Sequence, residues 1–133
     1  MVHRVEGAER QEILARLSAA MESREDLAFA YVYGSFLHEG GFRDIDVAMW
    51  VTPHASPRLD VELASHFTRL TGIPVDVRVL NGAPISFVFH ALRGRPLVVK
   101  DEQLLSDLIE RTARAYHDRA PLIRRSTREA FAA

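Results

Sequence analysis

Residues 31–51 read YVYGSFLHEGGFRDIDVAMWV. Both ends are apolar, β-branched or aromatic, as buried strands are. Yet the second run opens on two carboxylates, Asp44 and Asp46, with only Ile45 between them. Burying one unpaired carboxylate is costly, and a second beside it adds repulsion. The fold turns on what cancels that charge and on how the two strands pair. The glycine-bearing link 34–42 is too short for a helical crossover between parallel neighbours, so the strands are expected to be antiparallel or otherwise locally paired.

Working outward, Leu27–Tyr33 reads as the first strand, stopping at Gly34-Ser35, and Arg43–Val51 as the second, ended by Pro53. Ahead of them Ile13, Leu14, Leu17, Ala20 and Met21 recur at helical spacing, giving an amphipathic helix over about 8–22. After them Ser56-Pro57 has the form of a helix start, with a serine N-cap, a first-turn proline, and Asp60 and Glu62 near the positive end of the dipole. Leu59, Leu63, Phe67 and Leu70 form its buried stripe, and Gly72 closes it. Val75–Leu80 is a third strand, Pro84–Leu92 a short helix ending at Gly94, and Pro96–Val99 a fourth strand. Asp101 caps a last helix, with Leu104, Leu105, Leu108, Ile109 and Thr112 on one side, running to about Tyr116.

The order α-β-β-α-β-α-β-α, with no repeat or linker, predicts one α/β (α+β) domain over 1–133: a mixed sheet with helices packed on it. Hydrophobic residues make up 47% of the chain, enough for a single core. No stretch approaches the roughly 20 apolar residues of a membrane span, and no signal-type apolar run stands at the N-terminus. A cytoplasmic protein with no membrane contact is the expectation. The absence of cysteine excludes disulfides and thiolate metal sites, and a net charge of −1 gives no bulk attraction to nucleic acid, so direct nucleic-acid binding is not expected. Six arginines lie between Arg111 and Arg128, which reads either as a solvated face and tail or as an anion site.

Residues two apart in a strand share a face. Asp44 and Asp46 therefore project together, while Ile45, Val47, Met49 and Val51 point to the core. The third strand repeats this, with Val75, Val77 and Val79 inward and Asp76 and Arg78 outward. If the two strands are neighbours, Asp76 reaches the Asp44/Asp46 pair. Three converging carboxylates call for a cation among them, and a hard divalent ion with oxygen ligands, Mg²⁺, is the expected one. Gly34-Ser35, at a strand end before a helical turn, has the parts of a phosphate site: a bare backbone, a hydroxyl donor and free N–H groups. A phosphate turn beside a carboxylate-metal cluster is what nucleotidyl transfer requires, one ion gripping the triphosphate and a second activating the attacking hydroxyl. Each part alone has a plainer reading: a turn, a solvated strand end, a surface acid. The combination in this order and context is what argues for a site.

The motifs "YGSF…FRDIDVAMWV…VDVRVL" resemble those of the nucleotidyltransferase (DNA polymerase β-like) superfamily. More narrowly, the chain is similar to the minimal nucleotidyltransferases, the MNT antitoxins paired with HEPN-domain toxins. That likeness extends through "TGIPVDVRVLNGAPISFVFHALRGRPLVVKDE" to the helix ending "RAYHD". The resemblance implies the nucleotidyltransferase fold, with Gly34 and Ser35 on the nucleotide phosphates and Asp44 and Asp46 on the metals. Asp76 would complete the second metal site and assist deprotonation. It also implies transfer of AMP from ATP to a tyrosine of a HEPN ribonuclease toxin. Many relatives carry serine where this chain has Arg43, and arginine soon after the Gly-Ser where it has His38. A contact-only antitoxin and an adenylyltransferase for a small molecule such as an aminoglycoside are the alternatives, and a homodimer stays open.

The six histidines show no metal-ligand spacing. His38 could contact phosphate or be solvated, Arg78 could pair with Asp76 or serve phosphate, and Trp50 is read as packing. In the 84–92 helix, Ile85, Phe87, Val88, Phe89, Ala91 and Leu92 occupy more than one face. Either Phe89 or Ile85 is left toward a partner, or the 101–118 helix encloses this one.

Overall fold

The computed structural model describes residues 2–118. The elements are α1 (Gly7–Glu22), β1 (Leu27–Tyr33), β2 (Ile45–Val51), α2 (Leu59–Thr71), β3 (Val75–Val79), α3 (Ile85–Leu92), β4 (Arg95–Val99) and α4 (Glu102–Asp118), with a short 3₁₀ turn at Ser35–Leu37. The strands form one mixed sheet in the order β3-β2-β1-β4. β1 pairs antiparallel with both β2 and β4, and β2 pairs parallel with β3 through the crossover helix α2.

β1 is central and all seven of its residues are buried, which accounts for the lack of any charged side chain in LAFAYVY. Ala30 and Val32 join Ile45, Val47, Met49, Val75 and Val77 on one face, against Leu14, Leu17 and Met21 of α1 and Leu59, Leu63 and Phe67 of α2. Phe29, Tyr31, Tyr33 and Ala48 line the other face, under Val88 and Ala91 of α3 and Leu105 and Leu108 of α4. Alternation along β1 supplies both layers, and the register shift between Leu27 and Phe29 puts Leu27 on the face of Ala30 and Val32. The edges suit their sequences: Pro96, which has no N–H to donate, lies on edge strand β4, and the charged alternation Asp76, Arg78 lies on edge strand β3.

The antiparallel pairing of the first two strands and the element order are as the sequence predicts; two local features differ. The second strand starts at Ile45 rather than Arg43, so Asp44 sits just outside it. α2 starts at Leu59 rather than at Ser56-Pro57, with Arg58 at the N-cap. There the Ser56 hydroxyl accepts the Arg58 N–H at 3.2 Å and the Ser56 carbonyl accepts the Leu59 N–H at 3.0 Å, so the serine closes a turn ahead of the helix. Of the two readings of α3, the packing against the last helix is seen at Phe89, whose ring stacks on Tyr116 of α4, centroids 3.9 Å apart and planes within 3°. Asp101 caps α4 as expected, accepting the Leu104 N–H at 3.0 Å. No helix among the described residues is long and apolar enough to cross a membrane. Of the basic run ending at Arg128, the part beyond residue 118 lies outside the described residues.

Candidate active site

The site lies where β1 ends and β2 and β3 begin. Three residues stand in one row across the sheet: Tyr33 pairs with Asp46, and Asp46 with Asp76. Paired residues share a face, so all three project toward the α3 side. Asp44 precedes the row, and the Ile45 N–H donates to the Pro74 carbonyl at 2.9 Å, locking the start of β2 to that of β3. The parallel pairing thus brings Asp76 to the Asp44/Asp46 pair, across 30 residues of chain from Asp46.

Gly34 follows Tyr33 with φ 86° and ψ −161°, a conformation open almost only to glycine. A Cβ built there would stand 2.7 Å from Asp46 Oδ2. The bare α-carbon therefore lets the Gly-Ser turn press directly on the carboxylate cluster. Beyond it, the turn is held by two devices. Phe36 is fully buried, its ring edge-on to Phe42 at 4.9 Å. Arg10 of α1 donates through Nε to the Phe36 carbonyl at 2.7 Å and through a terminal nitrogen to the His38 carbonyl at 3.1 Å. Ser35 itself is exposed beside the cluster.

The electrostatics match a cation-binding site. Burial, then the charges of Asp44 and Asp76, push the Asp46 carboxyl up to about 6, with Arg78 pulling it partly back. Burial and the nearby Asp46 charge push the Tyr33 phenol up to about 12. Arg78 Nε lies 3.3 Å from Asp76 Oδ2, and its guanidinium lies over the Phe87 ring at 5.6 Å. The donor set, all oxygen and mutually repelling, fits a hard divalent ion. Among the described residues no three acidic or imidazole groups already surround a common ion position, and Asp76 is instead turned to Arg78. Trp50 lies at the far end of β2, packed on Phe29 at 6.3 Å, as read from the sequence.

Residues 16–103 match the family described as polymerase beta, nucleotidyltransferase. The chain belongs to that family. Among solved structures, this nucleotidyltransferase domain is similar to a chain of the Shewanella oneidensis complex of a tri-AMPylated HEPN toxin with its MNT antitoxin. The identity is 18% and the TM-score 0.62, covering 89% of this chain and 98% of that one. It is also similar to the MntA-HepT toxin-antitoxin structure (17% identity, TM-score 0.57, 92% and 99% covered) and to a toxin-antitoxin structure with AMP-PNP (17%, 0.58, 92% and 99%). No curated protein matches the sequence.

Beside the row is a cavity of about 270 Å³, lined by Tyr33, Gly34, Leu37, His38, His90, Arg93 and Gly94. Tyr33, Arg10 and this lining from the end of α3 are the parts that sequence reasoning missed. Only the position of Tyr33, directly before Gly34, carried a local signal for any of them.

Proposed function

We propose that this chain transfers AMP from ATP to a tyrosine hydroxyl of a cognate HEPN ribonuclease toxin, and so acts as its antitoxin in the cytoplasm. The observation that carries this reading is the contact of Gly34 with Asp46 at the centre of the Tyr33–Asp46–Asp76 row. It joins a phosphate-type turn to a carboxylate cluster in one continuous surface. Membership of the nucleotidyltransferase family supports the reaction class. The AMPylated toxin and the AMP-PNP in the similar structures support the nucleotide and the partner.

The chemistry follows from the order of the row. Gly34 ends β1 on one side of Asp46, and Asp76 begins β3 on the other. The triphosphate lies along the Gly34 side, where the Ser35 hydroxyl donates to a phosphate oxygen. The acceptor comes from the Asp76 side. Its oxygen attacks the α-phosphorus in line, the bond to the bridging oxygen of the β-phosphate breaks, and pyrophosphate leaves past Gly34. Asp76 takes the hydroxyl proton once Arg78, exposed and resting on Phe87, has released it. Mg²⁺ held by Asp44, Asp46 and Asp76 would offset the phosphate charge and lower the acceptor's pKa, ordinarily about 10 for tyrosine.

A macromolecular acceptor suits the shape of the site. On the acceptor side, Asp76 lies on edge strand β3 with Arg78 exposed beside it, an open face that a segment of a partner can reach. The groove of about 710 Å³ lined by Trp50, Val51 and Thr52 is at the opposite end of β2. The Arg78–Asp76 ion pair favours one second reading, an antitoxin that works by contact alone. Intact mass of the toxin after incubation with ATP, Mg²⁺ and this chain separates the two. Gains of AMP mass support transfer; an inhibited toxin of unchanged mass would leave contact as the account.

A further inference from the structure

Of the three carboxylates, Asp44 alone lies outside a strand. Pairing between β2 and β3 begins one residue later, at Ile45, so no ladder bond holds Asp44 itself. The loop before it carries Gly40 and Gly41 side by side, the residue type that restricts a backbone least. Repulsion from Asp46 and Asp76 would swing such a residue away from them. Something outside the loop has to hold it.

The segment ahead of α1 does so. His3 and Phe42 form an isolated antiparallel bridge. The His3 N–H donates to the Phe42 carbonyl at 2.7 Å, and the Phe42 N–H donates to the His3 carbonyl at 3.0 Å. Their rings meet at 5.8 Å. Val2 fills the space beside Gly41, where an added Cβ would overlap Val2 Cγ1. At the other end of the segment, Val5 packs against the core just before α1 begins at Gly7.

The same stretch of chain serves the Gly-Ser turn. Arg10 takes the Phe36 and His38 carbonyls, and buried Phe42 meets the Phe36 ring edge-on at 4.9 Å. Residues 3–10 therefore grip the loop at Phe36, His38 and Phe42, between the turn and Asp44. They lie ahead of residues 16–103, the stretch that matches the family.

Building on the nucleotidyl-transfer reading, we propose that Val2–Val5 is a positioning strap: its bridge to Phe42 keeps Asp44 beside Asp46 and so sets the affinity of the site for a divalent ion. The strap acts through Phe42, two residues before Asp44, and is not itself a ligand. Because the bridge is made by main-chain groups, the His3 N–H matters and the imidazole does not.

The test separates that N–H from its side chain. Mn²⁺ binding without nucleotide is read by electron paramagnetic resonance on the full chain, on His3→Ala and on His3→Pro. Proline removes the donor to the Phe42 carbonyl, whereas alanine keeps both bonds. His3→Pro is expected to bind Mn²⁺ about tenfold more weakly, the loss usual when a support of a metal ligand is removed, and His3→Ala to stay within about twofold. Melting curves of the three chains should coincide, because the bridge lies outside the sheet. Equal Mn²⁺ affinity of His3→Pro and wild type would overturn the inference, as would an equal loss in His3→Ala. If His3→Pro melts lower, Gly41→Ala and the double variant Gly41→Ala/Val2→Ala decide instead. The first pushes Val2 off the loop and the second makes room again. Loss of Mn²⁺ affinity followed by recovery supports the strap; no loss, or no recovery, overturns it. A wild-type chain that binds Mn²⁺ but never adds mass to a toxin would defeat the transfer reading and leave the strap comparison standing. A wild-type chain that binds no Mn²⁺ would defeat both.

Discussion

Gly34 and Asp46 are in contact at a position where a side chain cannot be added without movement: a Cβ on Gly34 would overlap Asp46 Oδ2 at 2.7 Å. Gly34→Ala therefore forces either the turn or the carboxylate to move, in a backbone conformation that itself costs alanine about 1–3 kcal/mol. Displacement near 1 Å at a reacting centre costs on the order of 100-fold in rate. We expect Gly34→Ala to lose at least that much transfer activity while unfolding in urea at a modestly lower midpoint. Wild-type turnover by the folded variant would remove Gly34 from the site.

Asp46 carries a cost in the free protein that its function explains. Its carboxyl titrates near 6 in the folded chain, above its ordinary 3.8, chiefly because it is partly buried and also because Asp44 and Asp76 repel it. Between those values the folded state holds the proton more tightly than the unfolded one. Stability therefore falls as pH rises through about 4 to 6, and the penalty is complete above it. Discounted for solvent screening at a half-exposed group, it is about 1 kcal/mol. In chelator-treated protein Asp46→Asn should melt higher than wild type at pH 7.5 and match it near pH 4. The same variant should abolish transfer. A lower melting point at pH 7.5 would show that the charge serves the fold.

Ser35 is exposed on the turn and is expected to touch only the nucleotide. Ser35→Ala should leave the melting temperature unchanged and weaken a non-hydrolysable ATP analogue by one charge-assisted hydrogen bond, about 1.5–3 kcal/mol. Calorimetry gives the answer directly. Loss of transfer with nucleotide affinity intact would assign the hydroxyl another role.

Arg10 reaches from α1 to the carbonyls of Phe36 and His38 and fixes the turn from behind. Arg10→Ala leaves those acceptors to water and should lower stability by about 1–2 kcal/mol. Because the turn carries Ser35, nucleotide affinity should fall as well, although Arg10 is not expected to contact the nucleotide. Arg10→Lys, which can supply one of the two bonds, should recover part of both effects. Stability lost without any change in affinity would show the clamp to be structural only.

Much of the fold was legible because the signals were local. Alternation set the inward faces of β2 and β3, and the short 34–42 link set the antiparallel pairing. The helical stripes of α1 and α2 were visible as periodic apolar positions. An error arose where two local signals competed: Ser56 satisfied a turn N–H instead of capping the helix. At Phe89 the sequence left two readings open, and the stack on Tyr116 agrees with packing against the last helix.

By itself the sequence determined which side chains carry the charge and that Asp46 and Asp76 project opposite the core-facing Ile45, Val47, Val75 and Val77, because a strand's period of two is a property of the backbone. It also supplied the glycine that the end of β1 requires. Only the tertiary structure decided that Asp76 stands beside Asp46, that Tyr33 flanks it on the other side, and that Arg10, His90 and Arg93 surround the turn. Those neighbours are joined by strand register and by the seating of α1 and α3 on the sheet. Both arise from many weak packing contacts between residues far apart in the chain, which no short stretch of sequence encodes.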